Sequence, residues 1–364
     1  MVRRAETGIY LFSVLEFKMK RFIQKTTLFL IPFVVMLAVT KLFYSKNQGD
    51  LSRVGYIPTD KSYREKFREE YSQPLKFTNL SEANLSKKNK YSVLTIGDSF
   101  SQQSQIGYQN YLAQYDSISV INFDQRVKKN PISVVYGVLN GNLLDSIEVN
   151  YIILQSVERH FVERGNEIET NYIFQFKNNK DSSAREKQSM PQTDPQNFPP
   201  AEIVKFPLFN ILYHLDDNAF FSKVLKVKVD STLFSGRFQK ELLFYEEDLL
   251  MTEVNNRKEL VVKLNRELNS LGEKLSQKGI MLIVLPAPDK FDVYYNHIVN
   301  NEKYTKPKFF EHMQEMQKNY HFIDSRKILS EAINKNKDVY FFDDTHWSPL
   351  SSQLIAKELA QIIK

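Results

Sequence analysis

The sequence contains no cysteine, which excludes disulfides, thiol nucleophiles and cysteine-ligated metal sites. This absence suits a chain that lives outside the cytosol without needing oxidative folding. There is also no compact block of Lys or Arg. The net charge of +6 is spread along the chain, so we predict no nucleic-acid partner. No group of His, Asp and Glu has metal-ligand spacing, and neither a metal nor another cofactor is predicted.

The clearest feature that is present is an apolar run near the N-terminus. Residues 26–40 carry no charge, and the run through Tyr44 reaches about 20 residues, enough to cross a bilayer. We predict a single-pass anchor at 26–45 in the inner (cytoplasmic) membrane. A cleaved signal peptide is the alternative, but no small-x-small site follows the run. Six basic residues precede it: Arg3, Arg4, Lys18, Lys20, Arg21 and Lys25. This bias predicts that residues 1–25 stay in the cytoplasm and that the remainder lies on the periplasmic, extracytoplasmic side.

Two polar stretches divide the rest of the chain. Residues 46–88 are broken by Gly and Pro and predict a tether, with a short helix around Lys61 to Tyr71. Residues 177–200 carry too few apolar side chains to offset the entropy of ordering, and they predict a mobile loop. The folded domain should then cover 89–364. Residues 165–250 fit its pattern poorly and predict an inserted subdomain.

Strands and helices alternate along this domain. Short apolar or β-branched runs predict strands at 92–96, 118–122, 151–154, 281–285 and 321–323. A leucine-rich stripe predicts a helix at 257–277, with Gly279 as its C-cap. The fold class predicted is therefore α/β: a three-layer, doubly wound parallel sheet with an inserted subdomain and an N-terminal transmembrane helix.

The first segment that could carry catalytic chemistry is Gly97-Asp98-Ser99, which directly follows the strand at 92–96. Open α/β sheets bind ligands at the carboxyl ends of their strands. Ser99 is therefore a candidate nucleophile, and the amides of the turn after it would face any anion bound there. An ordinary Asp/Ser cap on a βα loop is the alternative.

The second segment closes the chain with Asp343-Asp344-Thr345-His346-Trp347. Residues two apart on an extended segment face the same side, so Asp344 can orient His346 while the other ring nitrogen faces a nucleophile. A serine hydroxyl needs such a base. Ser99, His346 and Asp344 are thus the predicted catalytic residues. If the segment turns instead, Asp343 would lie beside the imidazole.

Together, GDSF and the distal D-x-H resemble the SGNH/GDSL hydrolase superfamily, and the D-x-H-W form resembles its alginate O-acetyltransferase branch. The resemblance implies acetyl transfer to polysaccharide hydroxyls outside the cytoplasmic membrane, with a multi-spanning membrane O-acyltransferase as acyl donor. It implies that Ser99 carries the acetyl group and that His346 is base and acid. In the alginate proteins D-x-H-W precedes the serine, whereas here it follows. The middle superfamily blocks, a Gly and a Gly-x-Asn, are not clearly present.

The strand at 151–154 leads to Gln155, Ser156, Glu158 and Arg159 at the same sheet edge. Gln155, Arg159 and Trp347 are the predicted substrate-binding residues. Arg159 could hold a substrate carboxylate or the oxyanion; a salt bridge that fixes the loop is the alternative. Lys290, after the strand at 281–285, is a further candidate for ligand contact.

Three functions are compatible with these observations. The first is a membrane-anchored O-acetyltransferase that modifies an exopolysaccharide or another cell-envelope glycan. The second is a carbohydrate acetylesterase, which uses the same triad with water as the acceptor. The third is a non-catalytic glycan-binding or assembly scaffold, which the missing Gly blocks favour.

Overall fold

The structure, a computed structural model, describes residues 3–46, 48–58, 60–85, 88–115, 117–125, 130–176 and 201–363. The mobile loop predicted at 177–200 lies outside these residues.

Six parallel strands form the main sheet, and two antiparallel strands form a separate hairpin. The strands are β1 (Thr78–Asn79), β2 (Asn89–Ile96), β3 (Val120–Asn122), β4 (Ile147–Val157), β5 (Val224–Lys228), β6 (Glu241–Tyr245), β7 (Met281–Ala287) and β8 (His321–Phe322). The order in the main sheet is β1-β3-β2-β4-β7-β8, and β5 pairs with β6. The predicted α/β class and parallel sheet are confirmed.

Helices connect the strands in the manner of a wound sheet. They are α1 (Arg3–Phe43), α2 (Asp50–Val54), α3 (Lys61–Tyr71), α4 (Tyr108–Leu112), α5 (Pro131–Asn140), α6 (Leu143–Ser146), α7 (Glu158–Asn166), α8 (Ala201–Leu212), α9 (Glu246–Asn255), α10 (Lys258–Ser276), α11 (Lys290–Tyr294), α12 (Phe309–Gln314), α13 (Ser325–Ile333) and α14 (Pro349–Ile362). The helix predicted at 257–277 is α10, and Gly279 after it adopts φ +75°, a left-handed conformation that glycine tolerates.

The sheet has a hydrophobic layer on each face, because successive side chains of a strand point to opposite sides. Ile153 and Ile283 face the cluster that contains α14. Their neighbours Ile152 and Leu282 face the other cluster, which contains α5 and α10. Helix, sheet and helix are thus the three predicted layers.

The strand order reverses direction at β2. From β2 the chain moves to β3 on one side and then to β4, β7 and β8 on the other. Ligands of open α/β sheets bind outside the carboxyl ends of the strands at such a reversal. Ser99 follows β2 directly and lies at this position.

Within the described residues, one helix near the N-terminus is long and apolar enough to cross a membrane. The stretch Phe17–Phe43 of α1 meets this criterion, and its side chains are almost all exposed. The helix extends further toward the N-terminus than the span predicted at 26–45.

The segment at 46–88, predicted as a tether, packs against the domain instead. Its predicted helix is present as α3, but Leu51, Ile57, Tyr63 and Phe67 are buried in the core cluster on one face of the sheet. These apolar residues are widely spaced in a polar sequence, so no periodic pattern indicates that the segment packs against the rest of the domain. The segment that follows α1 is therefore part of the folded domain.

The described part of the predicted insertion contains α8, the β5–β6 hairpin and the start of α9. Val224, Leu242 and Phe244 of the hairpin are fully buried in the same cluster as Phe291 and Phe342. The insertion shares the core of the domain and does not form a separate subdomain.

Candidate active site

Ser99, His346 and Asp344 form a continuous hydrogen-bonded chain. His346 Nε2 lies 2.8 Å from Ser99 Oγ, and His346 Nδ1 lies 2.6 Å from Asp344 Oδ1. Ser99 starts a 3₁₀ turn, Ser99–Ser101, and its side chain is exposed to solvent. A serine bonded to one imidazole nitrogen, with a carboxylate on the other, has the geometry of an activated nucleophile.

The structure separates the roles of the two adjacent aspartates. Asp344 Oδ1 accepts from both the ring Nδ1 and the backbone N–H of His346, the latter at 3.0 Å. Asp343 instead accepts from the N–H of Gly49 at 3.0 Å. The segment is a turn closed by a bridge between Tyr340 and Trp347, not the extended strand assumed in the prediction. Asp344 reaches the imidazole from within this turn.

His346 is held by aromatic packing as well as by Asp344. Its ring lies 4.7 Å from that of Phe100, which in turn contacts Trp347 at 4.9 Å. Burial alone would lower the pKa of His346, but the hydrogen bond and charge of Asp344, helped by Asp50, raise it. The site thus favours the imidazolium that forms when His346 takes a proton.

Asp50, the first residue of α2, supports the loop of Asp344. Its carboxylate accepts from Thr345 N at 2.9 Å and from Thr345 Oγ1 at 2.7 Å. Its own N–H lies 3.4 Å from Asp344 Oδ2. Burial and then the charge of Asp344 raise the pKa of Asp50, while the bonds from Thr345 hold it down. Sequence reasoning missed Asp50, since a contact between residues almost 300 positions apart leaves no local signal.

Asp50, Asp344 and His346 could each offer one ligand atom to a metal, with these atoms within 4.8 Å of one another. The same atoms are already bonded to Thr345 and to one another. The donor set therefore fits a hydrogen-bonded network that orients His346 at least as well as a cation site.

Gly97 and Asp98 set the position of Ser99. A Cβ at Gly97 would overlap Ser101 Oγ and Gln155 Oε1, so only glycine fits here. Asp98 caps the turn: its side chain accepts from Phe100 N at 3.2 Å, and its carbonyl accepts from Ser101 N at 2.9 Å. These two amides are therefore engaged and are not the free anion donors that the sequence predicted.

The side chain of Asp98 also links two strand ends. Its Oδ2 accepts from Val157 N at 2.7 Å and from Arg164 at 2.6 Å. Burial alone would raise the pKa of Asp98, but the charge of Arg164 lowers it. Arg164 was not predicted from the sequence. It joins the turn of Gly97, Asp98 and Ser99 to α7 and so fixes Ser99 relative to β4.

Comparison with protein families gives one match, at the C-terminal end of the chain. Residues 239–364 match the SGNH hydrolase-like domain of the acetyltransferase AlgX. The match confirms the resemblance inferred from the sequence. No curated protein and no solved structure matches the chain.

The AlgX-like segment contributes Asp344, His346 and Trp347 to the site, while Ser99 and Asp50 come from the chain before it. Trp347 is fully buried, and its Nε1 donates to Gln103 Oε1 at 2.9 Å. It therefore lies behind His346 and not in the crevice, unlike the predicted substrate contact. Gln103, not singled out from the sequence, also donates to the carbonyl of Trp347 at 3.1 Å.

Gln155 is also buried behind the crevice. Its Oε1 accepts from Asp98 N at 3.0 Å and from Ser101 Oγ at 2.9 Å. These bonds tie the end of β4 to the turn that carries Ser99. The side chain therefore braces Ser99 and does not face the position predicted for substrate.

Arg159 lies in a buried ion-pair network, as the alternative interpretation of this residue expected. Its guanidinium bonds Asp289 at 2.8 Å and Asp248 at 3.2 Å. Burial opposes the charge, but these two carboxylates raise the pKa of Arg159. Glu158 does not pair with it and instead accepts from Asp289 N at 2.9 Å.

Lys290, a further candidate for ligand contact from its place in the sequence, is only 1% exposed. Its Nζ donates to the carbonyls of Phe341 and Phe342, each at 2.7 Å. Burial lowers the pKa of Lys290 to about 7, against the opposing charges of Asp343 and Asp344. The side chain holds the backbone that leads into the Asp344 turn.

Proposed function

We propose that this chain is a membrane-anchored O-acetyltransferase that modifies an exopolysaccharide or another cell-envelope glycan. The observation that carries the proposal is the hydrogen-bonded chain from Ser99 Oγ through His346 to Asp344. The AlgX-type match at 239–364 supports acetyl chemistry. The apolar stretch of α1 supports anchoring in the cytoplasmic membrane, with residues 1–25 inside and the domain on the periplasmic side.

In the first half-reaction, Ser99 Oγ attacks the acetyl carbonyl carbon of the donor while His346 Nε2 takes the hydroxyl proton. The tetrahedral intermediate collapses, the donor's leaving group departs with that proton from His346, and acetyl-Ser99 remains. In the second half-reaction, a glycan hydroxyl attacks the acetyl carbon and gives its proton to His346. Collapse then forms the glycan ester and returns the proton to Ser99.

Asp344 keeps Nδ1 of His346 protonated, so that Nε2 is free to accept the proton from Ser99. The donor that suits this arrangement is a multi-spanning membrane O-acyltransferase that passes acetyl groups to the outer face of the bilayer. Asp50 follows the end of α1 by seven residues, and such a segment spans at most about 25 Å. The nucleophile would therefore work close to the membrane surface.

The test follows the acetyl group from a chromogenic acetyl ester, which stands in for the membrane donor. Full-length protein in proteoliposomes is mixed with the ester, quenched in acid and analysed by peptide mass spectrometry, with and without neutral and uronic-acid oligosaccharides. We expect acetyl on Ser99 that moves to an oligosaccharide. Ser99→Ala should abolish both with little change in thermal stability. Ser104→Ala, an exposed serine of the same loop, is the matched control and should behave as wild type.

The outcomes separate the three functions. Acetyl-Ser99 that decays only to acetate, whichever oligosaccharide is present, would favour the acetylesterase. No acetyl on Ser99, together with equal ester turnover in wild type and Ser99→Ala, would refute the triad and favour a scaffold. Protease digestion of the domain in intact spheroplasts tests the topology, and a protected domain would contradict the periplasmic location.

A further inference from the structure

Helix α8 carries apolar side chains on both of its faces. Phe206 and Phe209 point inward and are buried. Val204, Leu208 and Ile211 follow a spacing of four and three residues on the opposite face and are exposed, Ile211 by 64%. Neighbouring apolar side chains that are exposed on a folded protein mark a contact with protein or with lipid. We therefore expect the outward face of α8 to contact an apolar surface.

The position of α8 on α1 indicates what that neighbour is. Thr40 of α1 is buried, and its Oγ1 lies 3.4 Å from the carbonyl of Ile203. The rings of Tyr44 and Phe206 lie 5.5 Å apart. Thr40 precedes Phe43, the end of the apolar stretch, by three residues, or about 4.5 Å along the axis. If α1 spans the bilayer, the start of α8 lies at the depth where acyl chains meet head groups.

The apolar face continues beyond the end of α8. Leu215, Phe220 and Phe221 are all largely exposed. Phe221 packs edge-on against Phe209 with a ring separation of 5.0 Å, which joins this turn to the inner face of α8. Exposed patches of this kind mark an interaction surface or a membrane contact.

A basic cleft of about 540 Å³ opens between the end of α1, α2 and α8. Four cationic side chains and one carboxylate line it: Lys46, Arg53, Lys205, Lys223 and Glu202. Glu202 pairs with Lys46 at 2.8 Å. Among the described residues, no carboxylate lies within salt-bridge distance of the other three cations. Tyr44 and Tyr56, residues typical of the membrane–water interface, also line the cleft.

We propose that this cleft binds the phosphate of an anionic phospholipid, with the outward face of α8 and the Phe220–Phe221 turn lying among the acyl chains. The inference rests on the proposed anchoring by α1. Cations above an apolar helix face match the two parts of such a lipid, a charged head group and its chains. The domain would then be fixed to the bilayer at two places, the anchor and the α8 surface.

The absence of cysteine makes the geometric test direct. Single-cysteine variants of the full chain carry an environment-sensitive fluorophore in vesicles that contain spin-labelled phospholipid. Ile211→Cys probes α8, Val35→Cys probes α1, and Gln277→Cys, exposed at the edge of the sheet opposite Ser99, is the matched control. We expect blue-shifted emission and quenching by the lipid spin label at 35 and 211, and neither at 277.

The three probes distinguish the possible failures. A quenched probe at 35 with an aqueous, unquenched probe at 211 would overturn the α8 contact and leave the anchor in place. No quenching at 35 would instead overturn the proposed anchoring. A blue shift at 211 without lipid quenching would mean that protein, such as a second copy of this chain, covers α8, and would also overturn the proposal.

The head-group site has a separate test. The thermal unfolding temperature of the full chain is compared in phosphatidylcholine vesicles with and without phosphatidylglycerol. We expect phosphatidylglycerol to raise it for wild type and for the control Lys263→Gln/Lys278→Gln, but not for Lys205→Gln/Lys223→Gln. Inorganic phosphate added to phosphatidylcholine vesicles should have no effect. An equal rise with inorganic phosphate, or an unchanged rise in the cleft variant, would contradict the lipid site.

Discussion

The contact between Asp50 and the Asp344 turn gives a sharp prediction, because the residue lies far from the serine in the chain yet close to the imidazole. Asp50→Asn removes one negative charge and keeps the shape of the side chain. The amide oxygen can still accept from Thr345 N, but the amide nitrogen cannot replace the carboxylate oxygen that accepts from Thr345 Oγ1. The turn should stay folded while the charge beside His346 disappears.

The size of the effect follows from the distance. The ligand-type atoms of Asp50 and His346 lie within 4.8 Å of each other. Two unit charges at this separation attract by about 1 kcal/mol in bulk water and by about 3.5 kcal/mol at an effective dielectric constant of 20. The imidazolium formed during proton transfer would lose this stabilisation. We therefore expect kcat to fall by about five-fold to three-hundred-fold.

The pH profile distinguishes this charge effect from simple misfolding. His346 must be neutral to accept a proton, so activity rises as the pH passes its pKa. Asp50 is among the charges that raise this pKa. Without that charge the pKa falls, and the acidic limb of the profile should move to lower pH even though the maximum is lower.

The assay is hydrolysis of the chromogenic acetyl ester between pH 4 and 9, with thermal unfolding measured in parallel. Asp60→Asn is the matched control. Like Asp50, Asp60 lies in the segment that follows α1; it accepts from Ser62 Oγ and Arg237 N and lies outside the Asp344 turn. It should leave the profile unchanged. If Asp50→Asn keeps both the wild-type maximum and the wild-type acidic limb, the positioning role of Asp50 is refuted.

Four further substitutions test the Ser99–His346–Asp344 chain and its surroundings. Asp344→Asn should lower ester turnover by about 10⁴ because it favours the wrong imidazole tautomer, whereas Asp343→Asn should be mild; the reverse ranking in the same assay would reassign the acid. Lys290→Met leaves two buried carbonyls without their donor, at about 1–3 kcal/mol each, so the denaturation midpoint and turnover should both fall, and an unchanged midpoint would contradict this role. Gly97→Ala places a methyl against Ser101 and Gln155, and wild-type turnover in this variant would count against the tight packing behind Ser99.

The sequence was sufficient to predict the parallel sheet and the proximity of Ser99, His346 and Asp344. Strand runs have local patterns, and the topology of a parallel sheet brings their carboxyl ends to one edge. The geometric argument for Asp344 was nevertheless incomplete, because the segment turns between Tyr340 and Trp347. Asp344 is selected there because one of its carboxylate oxygens accepts from both the backbone N–H and the ring Nδ1 of His346, and periodicity does not encode this.

The roles of Gln155 and Trp347 could not be read from position along the chain. Both stand at the right sheet edge, but whether a side chain enters the crevice or turns beneath it depends on rotamer and packing. Gln155 turns toward Ser101, and Trp347 turns toward Gln103. The packing of the segment that follows α1 could not be predicted for a related reason. Its four separated apolar residues are buried only against a surface that the rest of the chain supplies.

The site is built from three distant parts of the chain, and one of them follows α1 directly. Arg53 lines the basic cleft, and Asp50, one helical turn earlier in α2, bonds the Asp344 turn. A short helix moves as a unit, so the proposed lipid phosphate at Arg53 and the bond between Asp50 and Thr345 would stabilise the same placement of α2. Ordering that helix costs conformational entropy. The first contact to form must offset this cost, and the second contact then forms on a helix that is already ordered. Membrane attachment would thus favour the geometry in which Asp344 faces His346, which gives an anchored enzyme an advantage over a freely soluble one beyond proximity to its donor.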